Sequence, residues 1–477
     1  MTKPMRKHTL TLYFAALCAL ILTSCSGSHA FDTSFFTGQA TRDNTPSSQL
    51  ENPAFWQGSA ETIWAKLQQV PLDKLEANQS SGNADAAAWI KLAIISKRYS
   101  VDTPQLVREL IAWRGQYSAH PGNQLFPSDS TLNNMLTIAP PKRIAVLLPL
   151  KGKEAALGNA VRDGFMSAYY AELSKTATQQ TITFYDTSLT LNVASLYQQA
   201  ANKGADIVIG PLTKTEVRQL TSRGSFSIPT ITLNYTDVWF GSLPTNLYQF
   251  GLSPTDEAKQ IADKAWQTGS SRALIIVPQN EWGQRVYKAL STRWQGNGGT
   301  ITDTLYFSPQ SDMTKEIARL LHVNPKEDRA KSKDQEDKAS LERQRRHDFD
   351  VIFLLAPPQN AREIVPLLRF YYVDKAMPIY ATSSIYSGTP QPQKDVDLND
   401  VVFCDIPWVL NRPAANSSSS NRLFAVGLDS YLISHELPRF NTLPAFPAYA
   451  ATGALTLTSQ KQFYRRSAWA LMHDGHP

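Results

Sequence analysis

The chain of 477 residues carries a formal net charge of +6 at pH 7, which falls to +3 once Lys3, Arg6 and Lys7 leave with an N-terminal leader. So slight a bias excludes a nucleic-acid partner as the organising function. Of the three cysteines, Cys18 lies inside the leader, Cys25 at its end and Cys404 far downstream, so no disulfide framework is available. A mature length of about 450 residues suggests two or three domains.

The leader is read first. Lys3, Arg6 and Lys7 precede the apolar run TLTLYFAALCALILT, about 15 residues long and short of the ~20 that span a bilayer as a helix. The run ends in Leu22-Thr23-Ser24-Cys25, the small-residue pattern that lipoprotein signal peptidase cuts before a diacylated cysteine. Residues 1–24 read as a signal peptide and Cys25 as the lipidation site, where acyl chains worth ~0.8 kcal/mol per buried CH₂ hold the chain to a membrane. Ser26, rather than Asp, follows the cysteine, which matches outer-membrane sorting with the body on the periplasmic face. Residues 25–50, rich in Ser, Thr, Gly and Asn and without a period, read as a tether.

From 51 to 139 the pattern turns helical. ETIWAKLQQV, AAAWIKLAIISKRY and TPQLVRELIAWRGQY repeat apolar residues at three- and four-residue spacing, and Asp102-Thr103-Pro104 forms a cap with Pro in the first turn. Short loops between such segments predict antiparallel helical hairpins of the TPR kind. HPGNQLFPSDSTLNN then reads as a linker.

At Pro140-Pro141 the chain changes character. Continuous apolar strands alternate with helices: KRIAVLLPL, TITFYDT, ADIVIGPL, SIPTITLN and LYQFGLSP, then RALIIVPQ, TITDTLYF, DFDVIFLLAPP and MPIYATSS. Strands without polar alternation predict a parallel sheet covered on both faces, and two such series in tandem predict an α/β fold of two doubly wound lobes over 140–477. The densely charged segment 324–348 reads as a solvated insertion in the second lobe, and 412–421 as a low-complexity loop. Cys404, in VVFCDIPWV, reads as a buried core thiol.

The stretches IAVLLPL, GNAVRDGF, ADIVIGPLTKTEV, IPTITLNY, LYQFGLSPTDEAKQIADKAW, LLRFYY, MPIYATSSIYSG, LFAVGLDSY and ATGALTLTSQKQFYRR together resemble one family. In broad outline they are similar to the type I periplasmic-binding fold of branched-chain amino-acid receptors. More narrowly they resemble the C-terminal domain of the LpoA family, outer-membrane lipoproteins that activate a penicillin-binding protein. The resemblance implies a non-catalytic activator whose partner is a class A penicillin-binding protein, a peptidoglycan synthase, with no cofactor. AAAWIKLAIISK and AWRGQYSAHP are similar to the last helical repeats of that family's N-terminal domain, which here reads as shortened.

Strand C-termini and helix N-termini converge at the cleft of such a fold, so the candidate ligand groups lie there. They are Leu150 to Gly152, Gly210 to Thr213, Asn234-Tyr235, and Thr382, Ser383 and Ser384. Backbone N–H groups and small hydroxyls suit a carboxylate or a polar small molecule, which keeps open a second function, a solute receptor for amino acids or similar ligands. Turn chemistry explains the same Gly and Pro residues. The eight histidines form no HExxH, and the sequence holds no Ser-x-x-Lys, GxGxxG or P-loop, so no metal or catalytic constellation is expected. RFYYVDK (369–375) and QFYRRSAW (462–469) combine aromatic and basic residues in the manner of interface hot spots.

Overall fold

In the computed structural model the described residues are 50–80, 83–176, 179–236, 244–324, 346–371, 376–411 and 422–477. The leader, Cys25, the tether up to residue 49, most of the charged insertion and the 412–421 loop lie outside them. No helix among the described residues is long and apolar enough to cross a membrane.

The first part is a helical cluster: α1 (Ala60–Leu67), α2 (Leu72–Ala77), α3 (Ala84–Arg98), α4 (Thr103–Gln116) and α5 (Asp129–Leu136). The expected cap is present, with the Asp102 carboxylate accepting from Gln105 N at 3.0 Å and Pro104 in the first turn of α4. Residues 120–134, expected as linker, instead run through a 3₁₀ turn (Pro121–Leu125) and into α5, because Ser128 caps α5 and Leu132 and Met135 bury beneath it.

The first lobe has α6 (Ala155–Thr176), α7 (Val193–Asn202) and α8 (Lys214–Thr221) around β1 (Arg143–Leu148), β2 (Thr181–Asp186), β3 (Ile207–Ile209), β4 (Thr230–Thr232) and β5 (Leu247–Gln249), a parallel sheet in the order β2-β1-β3-β4-β5. The second lobe has α9 (Pro254–Gln267), α10 (Glu281–Gly296), α11 (Met313–Leu320) and α12 (Pro358–Phe370) around β6 (Arg272–Pro278), β7 (Thr300–Phe307), β8 (Val351–Leu354), β9 (Ile379–Ala381) and β10 (Val401–Asp405). Its parallel order, β7-β6-β8-β9-β10, repeats that of the first lobe. The central strands β1, β3, β6 and β8 are buried along nearly their whole length, as helices on both faces require.

Two local devices recur in both lobes. Asp206 before β3 accepts from the backbone N–H groups of Lys142 and Arg143, and Asp350 before β8 accepts from those of Ser271 and Arg272. Gly158 and Gly283, early in the helix after each first strand, lie so close to the carbonyls of Pro149 and Pro278 that a Cβ would sit 2.0 Å from the oxygen. One βαβ plan has been used twice.

The lobes are not simply in tandem. After β10 the chain returns to the first lobe as α13 (Arg422–Thr442), whose Val426, Tyr431, Ile433, Leu437 and Phe440 share the core of β1 and α6. Gly164 and Gly427 mark the closest approach of α6 and α13; a Cβ on either would meet a carbonyl of the other helix at 1.9–2.1 Å. The small antiparallel sheet β11 (Ala448–Ala450), β12 (Gly453–Leu457) and β13 (Phe463–Arg466) stays with this lobe. Then β14 (Ala468–Leu471) crosses back and pairs antiparallel with β10. The lobes are therefore joined at three places: β5 to α9, β10 to α13, and β13 to β14.

The helical cluster is fused to the first lobe. Leu443 and Phe446, which follow α13, belong to the core of the helices. Phe446 packs 5.0 Å from Trp64 and 5.7 Å from Phe126 between ring centroids, and the Trp64 indole donates to Ala445 O at 2.6 Å. Lys97 is buried there; its Nζ donates to Gln68 O at 2.9 Å and to the Tyr449 hydroxyl at 2.6 Å.

Candidate functional site

The C-terminal ends of the strands form the face from which the chain passes between lobes, and the expected ligand groups do lie there. Many of their polar atoms, however, bond within the fold. Leu150 N donates to Asp186 Oδ1 at 2.9 Å, and Gly210 N donates to Ile231 O at 2.8 Å. Thr213 caps α8 in a reciprocal box with Glu216. Asn234 Nδ2 donates to Leu212 O at 3.2 Å while its Oδ1 accepts from Tyr235 N. Thr382 is buried, with its hydroxyl 2.8 Å from that of Ser384. Ser383 donates both backbone N–H and hydroxyl to Glu257, at 3.2 and 2.7 Å. Gly152, at φ +69° in an exposed turn, accepts from Ala155 N on its carbonyl.

The chemistry of the region is concentrated instead in buried charges that bind one lobe to the other. Glu257, on α9 of the second lobe, accepts from Arg465 Nη2 on β13 at 2.7 Å, with side-chain exposures of 6% and 4%. Arg465 Nη1 donates to Ser467 Oγ at 2.9 Å, and Gln260 bridges the same strand by accepting from Ser467 N at 2.9 Å and donating to Arg465 O at 3.1 Å. At the second crossing Asp405, fully buried at the end of β10, takes Arg422 Nε at 2.9 Å on one oxygen and Nη2 on the other. Arg422 Nη2 also donates to the carbonyls of Ser383 and Tyr386, at 3.2 and 3.0 Å. Burial pushes the Asp405 carboxyl up, against the pull of Arg422.

Asp429 on α13 is the third buried acid. Its carboxylate accepts from Ala451 N, Thr452 N and the Thr452 hydroxyl at 2.6–2.9 Å, and burial pushes it up to about 6. Buried charges of this kind persist when each is paired and hydrogen-bonded. Here every pairing crosses between secondary elements, and two of the three cross between lobes. The arrangement is a buried polar joint where the chain passes between the lobes.

Cys404 is fully buried beside this joint, as expected, and burial pushes its thiol well up, away from nucleophilic use. No cluster of His, Cys, Asp and Glu among the described residues could hold a metal ion. In QFYRRSAW, Phe463 and Arg465 are buried, Arg465 in the joint because β13 is the strand of the small sheet that meets α9, while Tyr464 and Arg466 on the alternate positions and Trp469 beyond them are half-buried. In RFYYVDK, Phe370 is 66% exposed while Tyr371 is buried, and residues 372–375 lie outside the described set.

Sequence reasoning missed Glu257, Asp405, Arg422, Asp429 and Arg465. A signal for Glu257 was present, since it stands on the stripe Glu257-Ile261-Ala265, at the four-residue spacing of the buried face of α9.

Comparison with known proteins adds to this geometry. The family profile described as "LppC putative lipoprotein" matches residues 39–475. A protein of Photobacterium profundum named penicillin-binding protein activator LpoA is 28% identical over 399 residues, covering 80% of this chain and 64% of its own length. This chain thus spans slightly less than two thirds of that relative. The crystal structure of full-length LpoA from Haemophilus influenzae is 24% identical, with a TM-score of 0.56 over 87% of this chain and 73% of that one. The C-domain of LpoA from the same organism is similar over 70% of this chain and 98% of that domain, with a TM-score of 0.54. The two-lobed fold is therefore shared.

Proposed function

The chain belongs to the LppC family of putative lipoproteins, and from that premise we propose that it binds and stimulates a class A penicillin-binding protein. The protein would be held at Cys25 to the outer membrane, with its lobes in the periplasm and no catalytic step of its own. The observation that carries this reading is the joint. Glu257–Arg465 and Asp405–Arg422 fasten the lobes together, and Leu150 and Ser383, among the groups a small ligand would use, are bonded to the protein's own Asp186 and Glu257. A two-lobed receptor works by closing on its ligand, whereas a fastened body acts through its outer surface. The relatives' name, penicillin-binding protein activator, fits that mode.

Stimulation is then a coupling free energy, in which binding favours the active synthase conformation over the inactive one. The test uses the lipidated chain in detergent micelles with each purified class A synthase of its own cell. Glycan polymerisation or cross-linking is expected to accelerate several-fold with one of them. Rates unchanged with every synthase would overturn the reading. For the address, Cys25→Ser is expected to release the protein from membranes, and Ser26→Asp to move it to the inner-membrane fraction.

A further inference from the structure

We infer that a proton on Asp429 operates the joint between the lobes: mild acidification holds them together, and a rise to neutral pH loosens them. The inference stands apart from the activator reading, since it concerns only what this chain does by itself.

Asp429 is one end of a continuous chain of hydrogen bonds through the joint. It holds the turn between β11 and β12 by accepting from Ala451 N at 2.9 Å, Thr452 N at 2.7 Å and the Thr452 hydroxyl at 2.6 Å. Both carbonyls of that turn are taken by groups beyond it. Ala451 O accepts from Trp408 N at 3.0 Å, in the helical turn Pro407–Leu410 that follows β10. Thr452 O accepts from Arg465 Nη1 at 3.3 Å. Arg465 passes the chain to Glu257 on α9, Glu257 to Ser383, and the Ser383 carbonyl to Arg422 and so to Asp405. One carboxylate thus sets the turn that meets the end of β10 directly and α9 through Arg465.

The charges along this chain do not balance. Three buried carboxylates, on Glu257, Asp405 and Asp429, face two guanidinium groups, on Arg465 and Arg422. The two ion pairs leave over Asp429, whose donors are two amides and a hydroxyl, all neutral. Among the described residues, the neighbouring groups do not supply the missing charge. Asp395, next beyond Asp405, is paired with Arg362 at 2.6 Å. Arg162 and Asp163 on α6, the helix packed against α13, pair with each other at 2.8 Å in exposed positions. Arg466, the next residue along β13, points to the opposite face and meets the Tyr449 hydroxyl at 3.2 Å. Residues 407–410 bring no ionisable side chain, and burial holds Cys404 and Tyr235 in their neutral forms. On α13 itself, His435 is kept neutral by burial and bonded to Tyr431 O. A buried carboxylate without a counter-charge favours its protonated form.

Burial pushes Asp429 up to about 6, against ~3.9 for a hydrated aspartate. Opening the joint draws Trp408 and the Arg465–Glu257 pair away from the turn and lets water reach the carboxylate, which returns it toward the hydrated value. The closed joint therefore binds the proton more tightly than the open one. It gains as pH falls through about 6 and loses that gain as pH rises. Between pH 5.0 and 7.5 the ratio of closed to open joint changes by up to about tenfold.

The test reads amide hydrogen exchange of the full chain across pH 5.0–7.5, with each rate corrected for the intrinsic pH dependence of exchange. Protection of the Trp408 amide, which spans the joint, is expected to fall by up to about tenfold toward pH 7.5, while that of Ile352 in the core of the second lobe stays constant. Asp429→Asn is expected to abolish the change. Thr452→Val removes one donor to the ionised acid, so the pH at which protection falls is expected to move upward. Constant protection of Trp408 in the wild type would overturn the proposal, and so would a pH dependence that survives Asp429→Asn. A fall confined to Ala451 and Thr452, with Trp408 unmoved, would make the acid a feature of one hairpin and not of the joint. Should Asp429→Asn fail to fold, Thr452→Val decides: a midpoint that stays where it was sinks the inference.

Discussion

Replacing Glu257 by Ala would leave Arg465, with 4% side-chain exposure, without its ion-pair partner. Its Nε already has no hydrogen-bond partner, so after the substitution two of its three guanidinium nitrogens would be unsatisfied, and Ser383 would lose its acceptor as well. Removing one partner of a buried pair costs about 3–5 kcal/mol. With an unfolding entropy of about 2.1 cal/mol/K per residue over roughly 430 residues, that cost corresponds to a fall in Tm of about 3–6 °C if the body unfolds as one unit. Calorimetry measures it, and a single transition is expected for the wild type. The paired replacement Glu257→Leu/Arg465→Met removes both charges and is expected to return to within about 1 kcal/mol of the wild type, because apolar residues of similar volume substitute well for a buried ion pair. Its scattering profile should nonetheless broaden, because the fastening between lobes has gone. A cost below about 1 kcal/mol for Glu257→Ala, or a double variant as unstable as the two singles added together, would refute the reading of this pair as a buried joint.

Three further outcomes follow from the geometry. Gly427→Ala places a methyl group against Val161 O of α6 and is expected to destabilise by about 1–3 kcal/mol in urea titration, whereas Gly115→Ala, with open space around it, should not. His435 is held neutral by burial, with Nδ1 2.9 Å from Tyr431 O and Nε2 2.6 Å from the Gln180 amide nitrogen. Its folded pKa lies below the ~6.5 of the unfolded chain, so its contribution is complete above that pH and is lost as pH falls below it; the stability gap between wild type and His435→Gln should therefore narrow from pH 7.5 to 5.5, and a constant gap would contradict it. Trp64→Ala removes the ring against Phe446 and the bond to Ala445, and a loss of about 3–5 kcal/mol is expected, with hydrogen exchange rising at 443–449 as well as in α1.

The sheets were legible in the sequence because a strand buried on both faces writes itself as a continuous apolar run, as in RIAVLL and RALIIVP. Which lobe an element joins is not written that way. α13 shows only a weak stripe, since it is buried nearly all round, and nothing local says that it returns to β1 and α6. α5 was hidden because its eight residues are mostly polar and only Leu132 and Met135 face inward. The candidate residues lie at strand ends, where many of their N–H and hydroxyl groups bond within the fold, because the same groups that suit a ligand also suit a cap or a turn. Arg465 sat in a run read as basic and exposed; burial of an arginine depends on a carboxylate 208 positions away, which no local pattern reports.

The joint and the fused helical core bear on the same question, how a body built this way would act by contact on the partner proposed above. Leu443 and Phe446 bring the helices and the first lobe into one core, and the two buried ion pairs tie the second lobe to the first. A body fixed in this way loses little conformational freedom when it binds, so more of its contact energy remains to shift the partner between states. A floppy two-lobed body would spend part of that energy ordering itself. Loosening the joint with Glu257→Leu/Arg465→Met should therefore weaken the proposed synthase stimulation even though that variant keeps its fold and its outer surface. Stimulation undiminished in the loosened variant would mean that the joint serves stability alone.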